Sequence, residues 1–398
     1  MDVIMAGVLE GIRVLDMGRV LAGPSAAALF GDMGAEVIKL EQPGRGDDSR
    51  GFAPMKDGVS CYYKNFNRSK KGITLDLKQG KDIFLELVKH MDVLIENFRP
   101  GTMEKMGLGY EELKKVNPGL IYGCISGFGA TGPYKNRAGY DTMSQAWSGV
   151  MSITGWPESD PVRCGASFGD VLGGLHLVIG ILAALRHRDK TGQGQLIDIS
   201  LTDGCVVAAA SMFQVYLSTG EVPTKNGNRY TSSAPGGGYH TKDGYCVING
   251  SAPKFWAMLC NILGKPELME DPRFASNALR VKNREELDPI VEAWTMTLTT
   301  QEVIDILLPK GFACAPILSL DQVVANEQIG GARNMFPEID DPEVGKMRFT
   351  NSAIKMSEGG PEIRCPAPLL GQHNNEIYAS VLGYSPEAIE KLKSEGII

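Results

Sequence analysis

Ile12-Arg13-Val14-Leu15-Asp16, the segment Ser25 to Met33, and Glu36-Val37-Ile38-Lys39-Leu40 follow one another with only short joints between them. The outer runs are apolar, rich in β-branched residues and of strand length; the middle one is Ala-rich and of helix length. Strand, helix and strand in that order make a βαβ unit, whose two strands lie parallel in one sheet. The alternation continues through Ile73 to Leu77 (strand), Lys81 to His90 (helix), Val93 to Glu96 (strand), Tyr110 to Val116 (helix) and Leu120 to Ile125 (strand). This predicts an α/β fold with a mostly parallel, doubly wound sheet. Ligands bind such sheets at the loops after the carboxyl ends of the strands. Three of those loops are Gly/Pro punctuated and polar: Ala22-Gly23-Pro24, Gln42 to Gly46, and Asn97 to Gly101. No G-x-G-x-x-G follows the first strand, so a nicotinamide or flavin cofactor is not expected.

Further along, Ala138 to Met151 reads as a helix leading to a Trp156-Pro157 loop. Lys190 to Gly194 is a turn into the strand Leu196 to Ser200, and a helix follows from about Asp203 to Leu217. The character then changes to a polar, Gly-rich stretch, Thr224 to Gly238. A hairpin from Tyr239 to Ile248 turns at Lys242-Asp243-Gly244, where Asp-Gly is a strong turn signal. Helices at about Lys254 to Leu263, Arg284 to Leu298 and Gln301 to Leu308, with Phe312 to Leu318 and Leu320 to Ala325, complete a smaller α+β domain. In the tail, Met347 to Ile354 reads as a strand and two short helices follow Gly371. The expected organisation is a discontinuous large domain (1–200 and 345–398), linkers at 201–225 and 325–344, and a small domain at 226–324.

The bulk numbers narrow the class. With 398 residues, 43% hydrophobic and 22% charged, the chain is of ordinary globular composition and long enough for two domains. A net charge of -7 argues against nucleic acid as a partner. No apolar run approaches the ~20 residues of a membrane span, so no membrane partner is expected. Met1-Asp2-Val3-Ile4-Met5 carries an acid where a signal peptide has a basic segment. The eight cysteines and five histidines are scattered without metal-ligand spacing. They fit reduced thiols in a cytoplasmic protein without a metal.

The chemistry is placed at Gly165-Ala166-Ser167-Phe168-Gly169-Asp170-Val171-Leu172-Gly173-Gly174, which runs into the apolar helical segment Leu175 to Leu185. Asp170 then stands at a helix entrance. Asp is a favoured N-cap, and a structural cap is the plain reading of that position. The small residues around it leave room for a ligand against the backbone, and a carboxylate there can attack an activated acyl group.

Taken together, these stretches resemble the class III CoA-transferase family, which contains the formyl-CoA:oxalate and carnitine CoA-transferases and related acyl-CoA racemases. The likeness covers essentially the whole chain. It rests on Ala22-Gly23-Pro24, Gly34 to Glu41, Asn67-Arg68-Ser69-Lys70, Glu96 to Gly101, Gly139-Tyr140-Asp141, Gly169-Asp170, Lys190 to Gln195 and Pro368 to His373. The resemblance implies a large Rossmann-type domain, a small domain, and two subunits threaded through each other as an interlocked homodimer. It implies transfer of CoA from an acyl-CoA to a small organic acid, with Asp170 as the nucleophile and coenzyme A entering as acyl-CoA substrate. By position, Leu75, Lys78, Lys105 and Met106 match CoA contacts. Gln42 stands where a CoA-binding arginine is found, with Arg45 and Arg137 near matched positions. Tyr62 and Tyr140 match acyl-site tyrosines, and Gly236-Gly237-Gly238 resembles a glycine loop that closes over the acyl-aspartyl intermediate. Leu21 and Phe52 replace a Gln and a Trp of the oxalate enzymes, which points to an acid larger or less polar than oxalate. Two other readings remain open from the sequence. One is an acyl-CoA racemase, against which Tyr140 stands where those enzymes carry His. The other is the catalytic subunit of a heteromeric transferase.

Overall fold

A computed structural model describes residues 7–398; the N-terminal stretch on which the signal-peptide expectation rests lies outside the described residues. The chain groups into two compact units. The first comprises Met1–Val150, Arg163–Ser218 and Glu327–Ile398, and the second Met151–Val162 and Thr219–Asn326.

In chain order the first unit begins with β1 (Arg13–Asp16), α1 (Ala22–Asp32) and β2 (Glu36–Glu41). A small hairpin, β3 (Met55–Lys56) and β4 (Val59–Ser60), leads to α2 (Cys61–Phe66), β5 (Lys71–Thr74) and α3 (Lys81–Val88). Then come β6 (Val93–Glu96), α4 (Thr102–Lys105), α5 (Tyr110–Val116) and β7 (Ile121–Ser126). After α6 (Asp141–Trp147) and α7 (Val150–Ile153), α8 (Phe168–Thr191), β8 (Leu196–Ser200) and α9 (Leu201–Ala208) complete the layer.

Six strands form one parallel sheet in the order β5-β2-β1-β6-β7-β8. Alternate residues feed opposite faces. Val14, Val37 and Val93 pack with Phe30 of α1 and Leu177 and Ile181 of α8. Leu15, Ile38 and Leu94 pack with Phe84 and with Ile377 and Ile389 from the C-terminal helices. Because both faces are covered, the central strands carry apolar residues on both sides, while β1 and β2 also hold the buried Asp16, Lys39 and Glu41 towards their carboxyl ends. The chain moves outward from β1 through β2 to β5, then returns to β6 and moves the other way. The strand order reverses between β1 and β6, and a crevice opens there at the carboxyl ends.

Several elements differ from the sequence reading. Ala22-Gly23-Pro24 is the first turn of α1 and not a loop; Pro is tolerated there because first-turn N–H groups have no intrahelical acceptor. The helix expected over Ala138 to Met151 breaks at Gly149, whose φ of 81° ends α6. The helix expected over Asp203 to Leu217 is α9 followed by α10 (Ala210–Thr219), bent by 70°. α8 starts before Asp170 and, at 24 residues, is long and apolar enough to cross a membrane. It nevertheless carries Leu177 and Ile181 into the sheet-facing core and ends in the charged run Arg186 to Lys190, as a core helix does. The space beside its glycines is filled by protein. A Cβ on Gly173 would lie 2.5 Å from Leu201 Cδ2, and one on Gly174 3.0 Å from the Ala22 carbonyl oxygen. These glycines let α8 approach α9 and α1.

In the second unit β9 (Gly236–His240), β10 (Tyr245–Asn249) and β11 (Ala313–Pro316) form an antiparallel sheet in the order β11-β10-β9. Trp256, Leu259, Phe274, Leu287 and Val303 supply its core.

Close backbone approach also makes a test. A Cβ on Gly31 of α1 would lie 2.3 Å from the carbonyl oxygen of Ser69. Gly31→Ala is expected to lower stability in urea unfolding by about 1–3 kcal/mol, as overpacked sites do. Gly51→Ala, with nothing within 4 Å of the new methyl, should stay within about 0.5 kcal/mol of the parent.

Candidate functional site

At the point where the strand order reverses, a cavity of about 360 Å³ is lined by Arg19, Val20, Leu21, Asn97, Phe98, Arg99, Tyr140, Asp170 and Leu201, among others. Its floor is the loop after β1, and that loop is held from every side. Gly18 N–H donates to Asp16 Oδ1 at 2.8 Å and Arg19 N–H to Asn97 Oδ1 at 2.7 Å. Asn97 Nδ2 returns a bond to the Arg19 carbonyl at 2.8 Å. Val20 sits at φ 67°, a left-handed conformation that a β-branched residue adopts only when its surroundings enforce it. Its N–H donates to Asp47 Oδ1 at 3.2 Å, while Lys39 bridges the Gly18 carbonyl and Asp47.

Asp170 is the third residue of α8 and not its cap. Ser167 occupies the cap position, and its own side chain makes no capping bond. The first-turn N–H of Gly169 donates to Asp141 Oδ1 at 2.7 Å. Among the described residues the Asp170 carboxylate accepts no hydrogen bond and meets no cation in a salt bridge. Burial, and secondarily the Asp141 charge, push its pKa from 3.8 up to about 7. Tyr62 of α2 responds to the same environment: burial first, then the Asp170 and Asp47 charges, raise its phenol to about 12. Its ring packs edge-on against Phe52 at 5.7 Å and Phe66 at 4.9 Å between centroids. Tyr140, 67% exposed, precedes α6 at the rim.

A second cavity of about 360 Å³ is lined by Leu75, Lys78 and Met106, together with Gln42, Lys39 and Asp47. It shares Arg19, Phe98 and Thr102 with the Asp170 cavity, so the two form one trough along the ends of the strands. Lys105 lines a third cavity of about 500 Å³ with Lys135 and Arg99, which joins the Asp170 cavity at Phe98, Arg99, Ile125 and Ser126. Arg137 lines none of the three; its guanidinium lies 3.9 Å from the Tyr134 ring centroid and 5.1 Å from that of Trp147. Gly236, Gly237 and Gly238 belong to β9 in the second unit, pressed against the chain at Asn228. A Cβ on Gly237 would lie 2.8 Å from the Asn228 carbonyl oxygen, and Arg284 holds the approach by donating to the carbonyls of Tyr230, Ser233 and Gly236.

The sequence reading missed Arg19, Arg99, Lys135 and the part played by Asp141. Arg19 and Arg99 lie directly in loops after β1 and β6, so their place at strand ends was a usable signal. Asp141 stood in a quoted motif, but nothing in spacing shows that it takes the Gly169 N–H.

A model of the family described as CoA-transferase family III matches residues 9–374. The succinyl-CoA–D-citramalate CoA-transferase of Chloroflexus aurantiacus is 37% identical over 394 residues, 98% of each chain. The succinyl-CoA:glutarate CoA-transferase of Mus musculus is 40% identical over 98% of this chain and 90% of that protein. Among solved structures, a CAIB/BAIF family protein from Brucella suis superposes with a TM-score of 0.85 at 36% identity, covering 94% of this chain and 100% of the other.

The raised Asp170 pKa has a consequence for stability. The folded protein holds a proton on Asp170 up to about pH 7, whereas the unfolded chain releases it near 3.8. Between those values the folded state binds more protons, so this group's contribution to stability falls as pH rises. Asp170→Asn removes the effect. Thermal melts should show the variant gaining stability over the parent at pH 8 and little at pH 4. An unchanged difference across that range would contradict the raised pKa.

Proposed function

The chain belongs to CoA-transferase family III, and from that premise we propose that Asp170 carries CoA between a donor acyl-CoA and a short dicarboxylic acid through covalent intermediates. One observation carries the reading: a half-buried carboxylate without a partner among the described residues faces the trough at the point where the strand order reverses. A nucleophile should be free of such partners, and a raised pKa makes a carboxylate more nucleophilic. An Asp170 oxygen adds to the donor thioester carbonyl; the C–S bond breaks and CoA leaves as thiolate, giving a mixed anhydride. The thiolate attacks the Asp170 carbonyl, the donor acid departs as carboxylate, and Asp170 is left as a thioester of CoA. The acceptor carboxylate then attacks that carbonyl and again expels the thiolate. Attack of the thiolate on the acceptor's acyl carbon forms the new acyl-CoA and restores Asp170. Each step exchanges one activated acyl linkage for another of similar energy, so no external energy source is needed.

In this reading Leu75 and Met106 receive the adenine end of CoA. Lys78 and Lys105 act as point charges toward its phosphates. Tyr62, Tyr140, Leu21 and Phe52 bound the acyl group. The relatives named for succinyl, citramalyl and glutaryl transfer support a dicarboxylic acid, as do Arg19 and Arg99 in the wall of the Asp170 cavity. The family's interlocked homodimer, with a discontinuous large domain and a small one, is the assembly we assign. Val171, Leu175 and Ile179 support it, because they form an exposed apolar stripe at i, i+4, i+8 on α8. The site of action is the cytoplasm.

The test is CoA exchange followed by mass spectrometry, with succinyl-CoA as donor and panels of dicarboxylic and monocarboxylic acids as acceptors. Dicarboxylic acids should be preferred. Asp170→Asn should reduce turnover by several orders of magnitude. With acyl-CoA and hydroxylamine but no acceptor, the parent should gain a hydroxamate on the peptide holding Asp170. A hydroxamate found only elsewhere, or an active Asp170→Asn enzyme, would remove the covalent route. Lys78→Ala and Lys105→Ala should each raise KM for acyl-CoA more than they lower kcat, with an effect that shrinks at high salt.

A further inference from the structure

Helix α6 carries a buried pair that the proposed reaction leaves without a role, Asp141 and Gln145, one turn apart. Both Asp141 oxygens are engaged. Oδ1 accepts from the Gly169 N–H at 2.7 Å and Oδ2 from Gln145 Nε2 at 2.8 Å. Gln145 is fully buried, and its Oε1 accepts from the Cys164 N–H at 2.9 Å. One amide side chain therefore ties Asp141 to the segment that delivers the chain into α8. Asp141 in turn grips the residue next to Asp170.

We infer that Asp141 is a positioning residue that holds a fixed negative charge beside Asp170 and withholds the Gly169 N–H from it, and that Gln145 locks Asp141 in that orientation. The inference rests on the reading of Asp170 as nucleophile. With both oxygens held by neighbours, Asp141 acts on Asp170 through its charge and not through a direct hydrogen bond. That charge works together with burial in raising the Asp170 pKa to about 7. A first-turn N–H is the donor that would otherwise stabilise the Asp170 anion, and it is spent on Asp141. A less stabilised anion is a stronger nucleophile toward a thioester. The other groups facing Asp170 are Tyr62 from α2, Cys205 from α9, and, around the same cavity, Arg19, Arg99 and Asp48. Arg19 is paired with Asp48 at 2.9 Å, which limits its offset of the Asp141 charge.

The test reads Asp170 directly and needs no substrate. Infrared difference spectra of the full-length protein, taken across a pH series, follow the protonated carboxyl band that is absent from Asp170→Asn. Asp141→Asn keeps an acceptor for the Gly169 N–H but removes the charge. It should move the Asp170 midpoint down by roughly half a pH unit or more, the direction expected on losing a like charge. Asp141→Glu, which keeps the charge, should stay closer to the parent. Should Asp141→Asn not fold, Asp141→Ser removes the charge with less bulk and should shift the midpoint in the same direction. An unmoved midpoint in the charge-removing variant would overturn the inference. So would an equal shift in Asp141→Glu, which would show that geometry and not charge matters. Because the spectra are independent of turnover, a protein that transfers no CoA would sink the proposed function while leaving this result readable. Where transfer is measurable, the acid limb of kcat/KM should move with the same midpoint.

Discussion

Asp16 and Lys70 are fully buried, with Lys70 Nζ 2.7 Å from Asp16 Oδ2. The rest of the site hangs from this pair. The same ammonium donates to the Pro24 carbonyl and to Asn67 Oδ1, both at 2.9 Å, so it ties the end of β1 to the start of α1 and to the turn before β5. The other Asp16 oxygen takes the Gly18 N–H, which begins the loop that passes beneath Asp170. Lys39, from β2, reaches the Gly18 carbonyl and Asp47 and completes the frame. Buried ion pairs contribute little net stability, but losing one partner leaves an uncompensated charge and costs about 3–5 kcal/mol. Such a network works as a specification. It allows one geometry of the β1 loop, and within that geometry Val20 is forced to a positive φ.

The buried acids of the first unit divide into two kinds. Asp32 is met by Arg68 and Ser69, Glu41 by Arg50 through Nε and Nη2, and Asp47 by Lys39 with further bonds from Ser49. Those partners hold Asp47 down at about 2. Among the described residues Asp170 has no such partner, and it is pushed up to about 7. Glu96 lies between these cases: it accepts from the Phe98 N–H and the Tyr122 hydroxyl, yet meets no cation, and burial raises it to about 7. The scaffold thus concentrates opposite charges under the loops and leaves the carboxylate facing the trough uncompensated. On the proposed reading, the group that forms and breaks bonds is kept in a less stabilised state, and the paired acids beneath it keep the frame rigid.

The parallel sheet was readable in sequence because both its faces are covered, which leaves short apolar runs such as Val14-Leu15 and Val93-Leu94-Ile95 in the central strands. The trough was legible to the extent that ligand loops follow strand ends, since Gln42, Phe98 and Arg99 of the polar loops line it; Leu75, Lys78 and Met106, which also line it, came from the family resemblance. What could not be read were features set by tertiary contact. The glycines around Asp170 looked like room for a ligand, yet Gly169, Gly173 and Gly174 are filled by Cys205, Leu201 and Ala22. A glycine reports only that something comes close to the backbone, and the sequence does not say whether that is substrate or protein. The break between α9 and α10 was hidden for a similar reason, since Ala209 and its neighbours are good helix formers and the 70° bend has no local breaker.

On the proposed reading of the trough as a CoA site, the same distinction between local pattern and spatial neighbour governs how phosphate charge is met. Gln42 is neutral, and the cations nearest the matched positions are engaged elsewhere. Arg45 pairs with Asp48 at 3.2 Å, and Arg137 stacks on Tyr134. The cations lining the trough and the cavity beside it without a described carboxylate partner are Lys78 after β5, Arg99 and Lys105 after β6, and Lys135 after β7. They come from three successive strand ends, so their alignment depends on the order of strands in the sheet. Three of the four are lysines on flexible stems, which meet phosphate as point charges and not through a fixed fork. Phosphate held that way is tolerant in geometry and sensitive to salt. On that reading, precision in this site resides at the strongly braced β1 loop and at Asp170, while the far end of the trough offers flexible cations beside the apolar Leu75 and Met106.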